Sequence, residues 1–279
     1  MMFDISKSVG CTERMNYLKR GFLFYMCSSC MLLVQFAIYL VNSNYWESLN
    51  FVGGFYYLMA ALGQAFLFNL IPWIILYIPF TWWRQMRKVG TILFTCAIFL
   101  LNVLAYLNGI VFQLYKFHIN GFVLDLAFGG GGNQVFVFNN TLILHGVLIG
   151  LLILLFTLAV VFIAYRYARY VTSKQVKIGI YLFLFSCIVP QLTHAYAAAA
   201  NVNSITEVSA CLPQFYPLTA NRLMLKLGVV KKEDLYVNNP DKGKGHSFVY
   251  PLHPLEKVDS VKPLNIIYLI LDSWNFRTF

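Results

Sequence analysis

Arg222 and Lys226 stand four residues apart, a spacing that puts two side chains on one face of a helix. A guanidinium offers a planar fork of N–H donors and an ammonium a mobile point charge, so the pair suits the oxygens of a phosphate group. Just upstream, Thr219 can cap a helix expected from about Ala220 to Leu227 with Gly228 as its stop, and the amides of the first turn would add further donors. The same bases beside Leu223 and Leu227 also fit an ordinary interfacial helix whose cations reach for water. Toward the carboxyl end, six of the seven residues from Asn265 to Leu271 are apolar, which predicts a buried strand. Asp272 follows directly, and a carboxylate at the end of a strand is a hard oxygen ligand where the loops of an α/β fold converge. One carboxylate is not a metal site, and structural capping or solvent exposure also accounts for Asp272.

Three other patterns carry less. Cys27 and Cys30 have the spacing of a redox or zinc pair, but zinc needs further ligands and a redox pair a thioredoxin-like setting, so small residues packing a helix are the expected reading. The four glycines from Gly129 to Gly132 imitate a phosphate cradle, yet no Lys-Ser/Thr follows and no strand precedes; they read as a flexible break. His145 and His194 are the only acid or base groups within the apolar runs, which argues against a proton or ion pathway.

The elements that must position these groups are membrane helices. Hydrophobic residues make up 59% of the 279, charged ones 11%, and the mean hydropathy is +0.65, outside the range of soluble domains. Residues 21–46, 48–83, 89–115, 126–165 and 178–206 carry no Lys, Arg, Asp or Glu, and each run exceeds the roughly 20 residues that cross a bilayer core. Five spanning helices are expected, centred near residues 31, 68, 101, 151 and 189. The first is too long for a signal peptide and lacks a small-residue cleavage pattern. Pro72 and Pro79 are expected to bend or shorten the second, because proline removes an intrahelical hydrogen bond.

Basic residues fix the expected orientation. Lys7, Arg14, Lys19 and Arg20 precede the first helix; Arg84, Arg87 and Lys88 lie between the second and third; Arg166, Arg169, Lys174 and Lys177 lie between the fourth and fifth. The alternate connections hold Lys116 alone, eleven against one, so the amino terminus is expected in the cytoplasm and the carboxyl part beyond the membrane. Those cytoplasmic segments contribute +9 of the formal +10. The basicity is thus a positive-inside signature that also meets anionic lipid, without the dense basic stripe of a nucleic-acid binder. Of the six cysteines, only Cys211 falls beyond the membrane, which leaves no internal disulfide there.

Outside the spans, "YKFHINGFVLDLAFGGGGNQ" at 115–134 suits a short helix lying in the outer interface, and "NNPDKGKGHS" at 238–247 a turn-rich linker. The expected class is an all-α membrane domain at 1–200, then an interfacial helix and linker at 201–262, with the first strand of an α/β domain at 263–279.

Five stretches together, "YKFHIN", "THAYAAAAN", "YPLTANRLMLKLG", "YPLHPL" and "NIIYLILDSWNFR", resemble the YejM/PbgA-type inner-membrane proteins of Gram-negative bacteria. The resemblance implies five spanning helices followed by a periplasmic domain of the alkaline-phosphatase/sulfatase type, cut here after its start. It places Asp272 at the position that in active relatives ligates a divalent metal, a site incomplete in this chain, for which no turnover is expected. It further implies control of lipopolysaccharide and outer-membrane lipid composition, contact with the inner-membrane adaptor of the protease that governs lipopolysaccharide synthesis, and binding of lipid A phosphates after the fifth helix. Thr219, Ala220 and Arg222 match that segment, while Asn221 stands where relatives can carry a second arginine, so anionic lipid binding would be weaker or lean on Lys226. Two other classes stay open: a truncated membrane-anchored phosphoethanolamine or glycerol-phosphate transferase or hydrolase of the same superfamily, and a transporter of lipid such as cardiolipin. A nucleophilic Thr or Ser with a complete Asp/His set would favour the enzyme.

Overall fold

A computed structural model describes residues 2–47, 49–129 and 140–230, and of these the side chains of all but residues 2–10 and 142. Among the described residues, five helices are long and apolar enough to cross a membrane: Cys11–Val41, Phe51–Thr81, Arg84–Tyr115, Ile143–Tyr170 and Ser173–Ala199. The α-helical stretches that build them are α1 (Met2–Val41), α2 (Phe51–Pro72), α3 (Arg87–Tyr115), α5 (Asn140–Tyr167) and α6 (Ser173–Ala199). Short helices α4 (Gly121–Phe128), α7 (Asn203–Thr206) and α8 (Asn221–Lys226) complete the described set. The first helix starts well before the apolar run, because its polar amino-terminal residues continue the same ladder. The expected strand at 265–271, Asp272, the linker at 238–247 and most of the glycine break lie outside the described residues.

The second span carries the effect of its prolines. Pro72 cannot donate to the carbonyl four residues back, and the α-helix gives way there to a π turn, Trp73–Tyr77. Pro79 repeats the omission within a 3₁₀ turn, Ile78–Thr81.

Aromatic rings and small residues hold the bundle together. One core joins Leu32, Phe36 and Tyr39 of α1 to Tyr56, Tyr57 and Ala60 of α2 and to Ile205, Val208 and Leu212. A second joins Tyr17, Phe24, Tyr77, Phe94 and Ala164. Tyr17 and Tyr77 stack at 4.2 Å, and each donates its hydroxyl hydrogen to the other's backbone carbonyl. Where α2 meets α6, a Cβ at Gly63 would sit 2.3 Å from the Ser186 carbonyl oxygen, so only glycine allows the two backbones to approach this closely. Polar side chains add bonds between helices: Asn69 donates to Ser29 Oγ at 3.1 Å, and Gln35 to Asn102 Oδ1 at 2.7 Å.

The basic segments that alternate along the chain converge at one end of the bundle. Glu13 pairs with Arg84 at 2.8 Å and Arg87 at 3.5 Å, and Arg14 lies over the ring of Trp82. The opposite end carries Lys116, whose ammonium donates to the Asn42 carbonyl, and the residues after α6.

Candidate lipid-facing site

The segment 200–230 folds back over that opposite end and is tied down at four places. Its first part is apolar: Ile205, Val208, Cys211 and Leu212 are buried against α1 and α2. At Gly53 a Cβ would lie 2.4 Å from the Ser204 carbonyl, so this contact also requires glycine. Gln64 of α2 donates to the Pro213 carbonyl at 3.1 Å. On α6, Gln191 Oε1 accepts from Leu218 N–H at 2.7 Å while His194 Nδ1 meets the Leu218 carbonyl at 3.0 Å. Both backbone groups of one residue are thus held by two side chains almost one helical turn apart.

The fourth tie is His118, in the connection between α3 and α4. Its Nε2 lies 3.1 Å from the Ala210 carbonyl oxygen, which can only accept, so Nε2 carries the proton. Nδ1 then accepts from Asn108 Nδ2 at 2.9 Å, and Asn108 Oδ1 accepts from Ile119 N–H at 2.7 Å. Asn108 also reaches Tyr39, whose hydroxyl donates to the Ala105 carbonyl. The His118 ring stacks on Phe112 at 4.6 Å. Burial disfavours the imidazolium and pulls His118 below the ordinary histidine range, which matches the neutral tautomer the contacts require. Burial likewise pushes the Cys211 thiol up.

Beyond Leu218 the chain reaches α8. Thr219 does not cap it: the cap position is Ala220, with no side-chain hydrogen bond, and Asn221 is the first helical residue. The pinning of Leu218 sets the chain's approach and leaves Thr219 one residue too early. The helix is therefore Asn221–Lys226 rather than Ala220–Leu227. Gly228 does stop it, at φ +68°, with its N–H on Leu225 O and Val229 N–H on Met224 O, a Schellman closure. Met224 and Leu225 are partly buried, while Thr219, Asn221, Arg222, Leu223 and Lys226 are exposed. The side chains of Arg222 and Lys226 form no ion pair or hydrogen bond among the described residues. Around them Tyr216, Leu218, Leu223 and Leu227 are also exposed, so the surface is amphipathic.

A hollow of about 260 Å³ opens beneath the same segment, with Phe36, Phe68, Leu101 and Leu104 as its walls and Asn108, His118 and Gln214 at its polar side. Gln64, Asn108 and Gln191, which sequence reasoning passed over, build this end of the molecule together with His118 of the YKFHIN stretch. For the three amides a signal was present: uncharged amides within apolar runs are costly unless bonded across helices.

Elsewhere, α4 forms as expected, with Asn120 Oδ1 accepting from Val123 N–H and Phe122 and Phe128 exposed. Cys27 and Cys30 lie on α1, and no three of His, Cys, Asp and Glu converge among the described residues.

The class of protein this defines is a multi-pass α-helical membrane protein whose segment after the last span is clamped onto one end of the bundle. The family described as "Domain of unknown function (DUF3413)" matches residues 12–257, most of the chain, and the protein belongs to that family. No curated protein matches it.

Proposed function

We infer that this protein is a regulator of lipopolysaccharide and outer-membrane lipid supply in the bacterial inner membrane, which binds lipid A or a similar anionic lipid at the periplasmic leaflet. The observation that carries the reading is the exposed Arg222 and Lys226 pair, four residues apart on a helix anchored through Leu218 to the fifth span. The cations stand beside exposed Leu223 and Leu227, the combination that suits a phosphorylated headgroup above acyl chains. Thr219 and Asn221 add neutral donors at the same surface, and the apolar hollow beneath the segment offers room for part of a hydrocarbon chain. Resemblance to the YejM/PbgA-type proteins supports the regulatory role and the lipopolysaccharide-synthesis adaptor as partner. The clustering of basic residues at the end away from this surface supports an amino terminus in the cytoplasm.

The test is lipid retention. Native mass spectrometry of the purified chain, titrated with lipid A, should show retention that drops several-fold in Arg222→Ala/Lys226→Ala at equal thermal stability. Unchanged retention would remove the site, and a reporter after Tyr236 found in the cytoplasm would remove its access to the outer leaflet.

A further inference from the structure

At the other end of the bundle, three guanidinium groups line one hollow with no carboxylate of the described residues in its lining. Arg20 of α1, Arg166 in the last turn of α5 and Arg169 in the 3₁₀ turn Ala168–Tyr170 line one hollow of about 260 Å³ with Asn16, Tyr165 and Ala168. Of the other arginines at this end, Arg84 and Arg87 pair with Glu13, and Arg14 lies over Trp82 and is not part of this hollow's lining. Arg20, Arg166 and Arg169 form no ion pair among the described residues.

Two of the three are held by rings. Arg20 lies 4.7 Å from the ring centre of Tyr165, and Arg169 lies 4.8 Å from that of Tyr170. A stacked guanidinium has its plane fixed and its edge N–H groups free to donate. Part of the Arg166 charge answers the carbonyls at the end of α5. That leaves the other two uncompensated, and like charges gathered in one hollow repel unless an anion enters.

We propose that this hollow binds the phosphodiester of an anionic phospholipid, in the leaflet opposite the one assigned to Arg222 and Lys226. The phosphate oxygens take the guanidinium edges, and the Asn16 amide pairs with the hydroxyls of a glycerol-type headgroup. The surroundings favour a lipid over a soluble anion. Phe162 and Ile163, one turn before Arg166, are exposed apolar side chains on the same helix; Tyr165 lines the hollow, and Tyr167 and Tyr170, close by in sequence, are exposed. Exposed tyrosines below an apolar helix face mark the headgroup layer, so acyl chains would run along α5 while the phosphate sits among the arginines. The site is independent of the lipid A reading and stands if that reading fails.

The experiment uses the full chain carrying Arg222→Ala/Lys226→Ala, so that the surface at α8 does not contribute, in a zwitterionic detergent. Binding is followed by native mass spectrometry with titrated palmitoyl-oleoyl-phosphatidylglycerol, with phosphatidylcholine of the same chains, and with inorganic phosphate as competitor. A basic side chain that meets the lipid phosphate directly contributes about fivefold, the scale of one Lys or Arg at an anionic lipid surface. Adding Arg166→Gln/Arg169→Gln, both exposed and outside the packed core, should therefore weaken phosphatidylglycerol binding on the order of 25-fold. Arg166→Lys/Arg169→Lys should restore a part of it. Adding Lys19→Gln/Lys177→Gln, which changes a neighbouring hollow, should have little effect. The proposal is overturned by equal losses in the lysine and arginine variants, by phosphatidylcholine binding as well as phosphatidylglycerol, or by displacement of the lipid at millimolar phosphate, which would assign the hollow to a free anion.

Discussion

Replacing Asn108 with alanine should release the segment that closes the Lys116 end of the bundle. The side chain serves two groups at once, accepting from Ile119 N–H at 2.7 Å and donating to His118 Nδ1 at 2.9 Å. Each polar group left unpaired in a buried setting costs about 1–3 kcal/mol, and His118 is only partly buried, so the loss should be about 2–4 kcal/mol. It should fall on local opening more than on the spans, because His118 is what joins this network to the Ala210 carbonyl. The reporter is Cys211, next in sequence and 0% exposed. In a variant whose other cysteines are serine, a membrane-impermeant maleimide should label Cys211 slowly. An opening made easier by 2–4 kcal/mol raises the open population, and so the labelling rate, by about 30-fold to 1,000-fold, as long as closing outpaces labelling. A change under threefold, with the bundle still folded, would refute the reasoning that His118 and Asn108 hold the segment.

Acid should act on the same clamp: His118 titrates below its ordinary value, so the unfolded chain takes up a proton near pH 6.5 that the folded one refuses. Stability is then full above about pH 6.5 and falls as pH drops through that value toward the lower folded one; the melting temperature should fall from pH 7 to 5.5, and less so in His118→Gln, whereas parallel profiles would exclude His118 as the cause. Gly63→Val should lower the melting temperature by many degrees in detergent, because even its Cβ would collide with the Ser186 carbonyl; an unchanged melt would contradict the close approach of α2 and α6.

Much of the architecture is a local property of the chain. Whether 20 residues prefer oil to water depends on their own composition, so the five spans are readable from charge-free runs, and Gly228 as a helix stop and α4 as a short helix follow from local backbone chemistry. The alternation of basic segments likewise anticipates their meeting at one end. Local reasoning fails where the partner is remote. Thr219 reads as a cap until Gln191 and His194, 24 or more residues earlier, pin Leu218 and shift the helix start. Gln64 bonds a carbonyl 149 residues away and His118 one 92 residues away, and nothing in either neighbourhood names that partner. The arginine hollow has the same origin: Arg20 and Arg166 are unremarkable positive-inside charges in sequence, and become one site only because α1 packs beside α5. Hydrophobic transfer is additive along a chain and therefore legible in it, whereas hydrogen bonds and charge clusters depend on which helix lies next to which, and tertiary packing alone decides that.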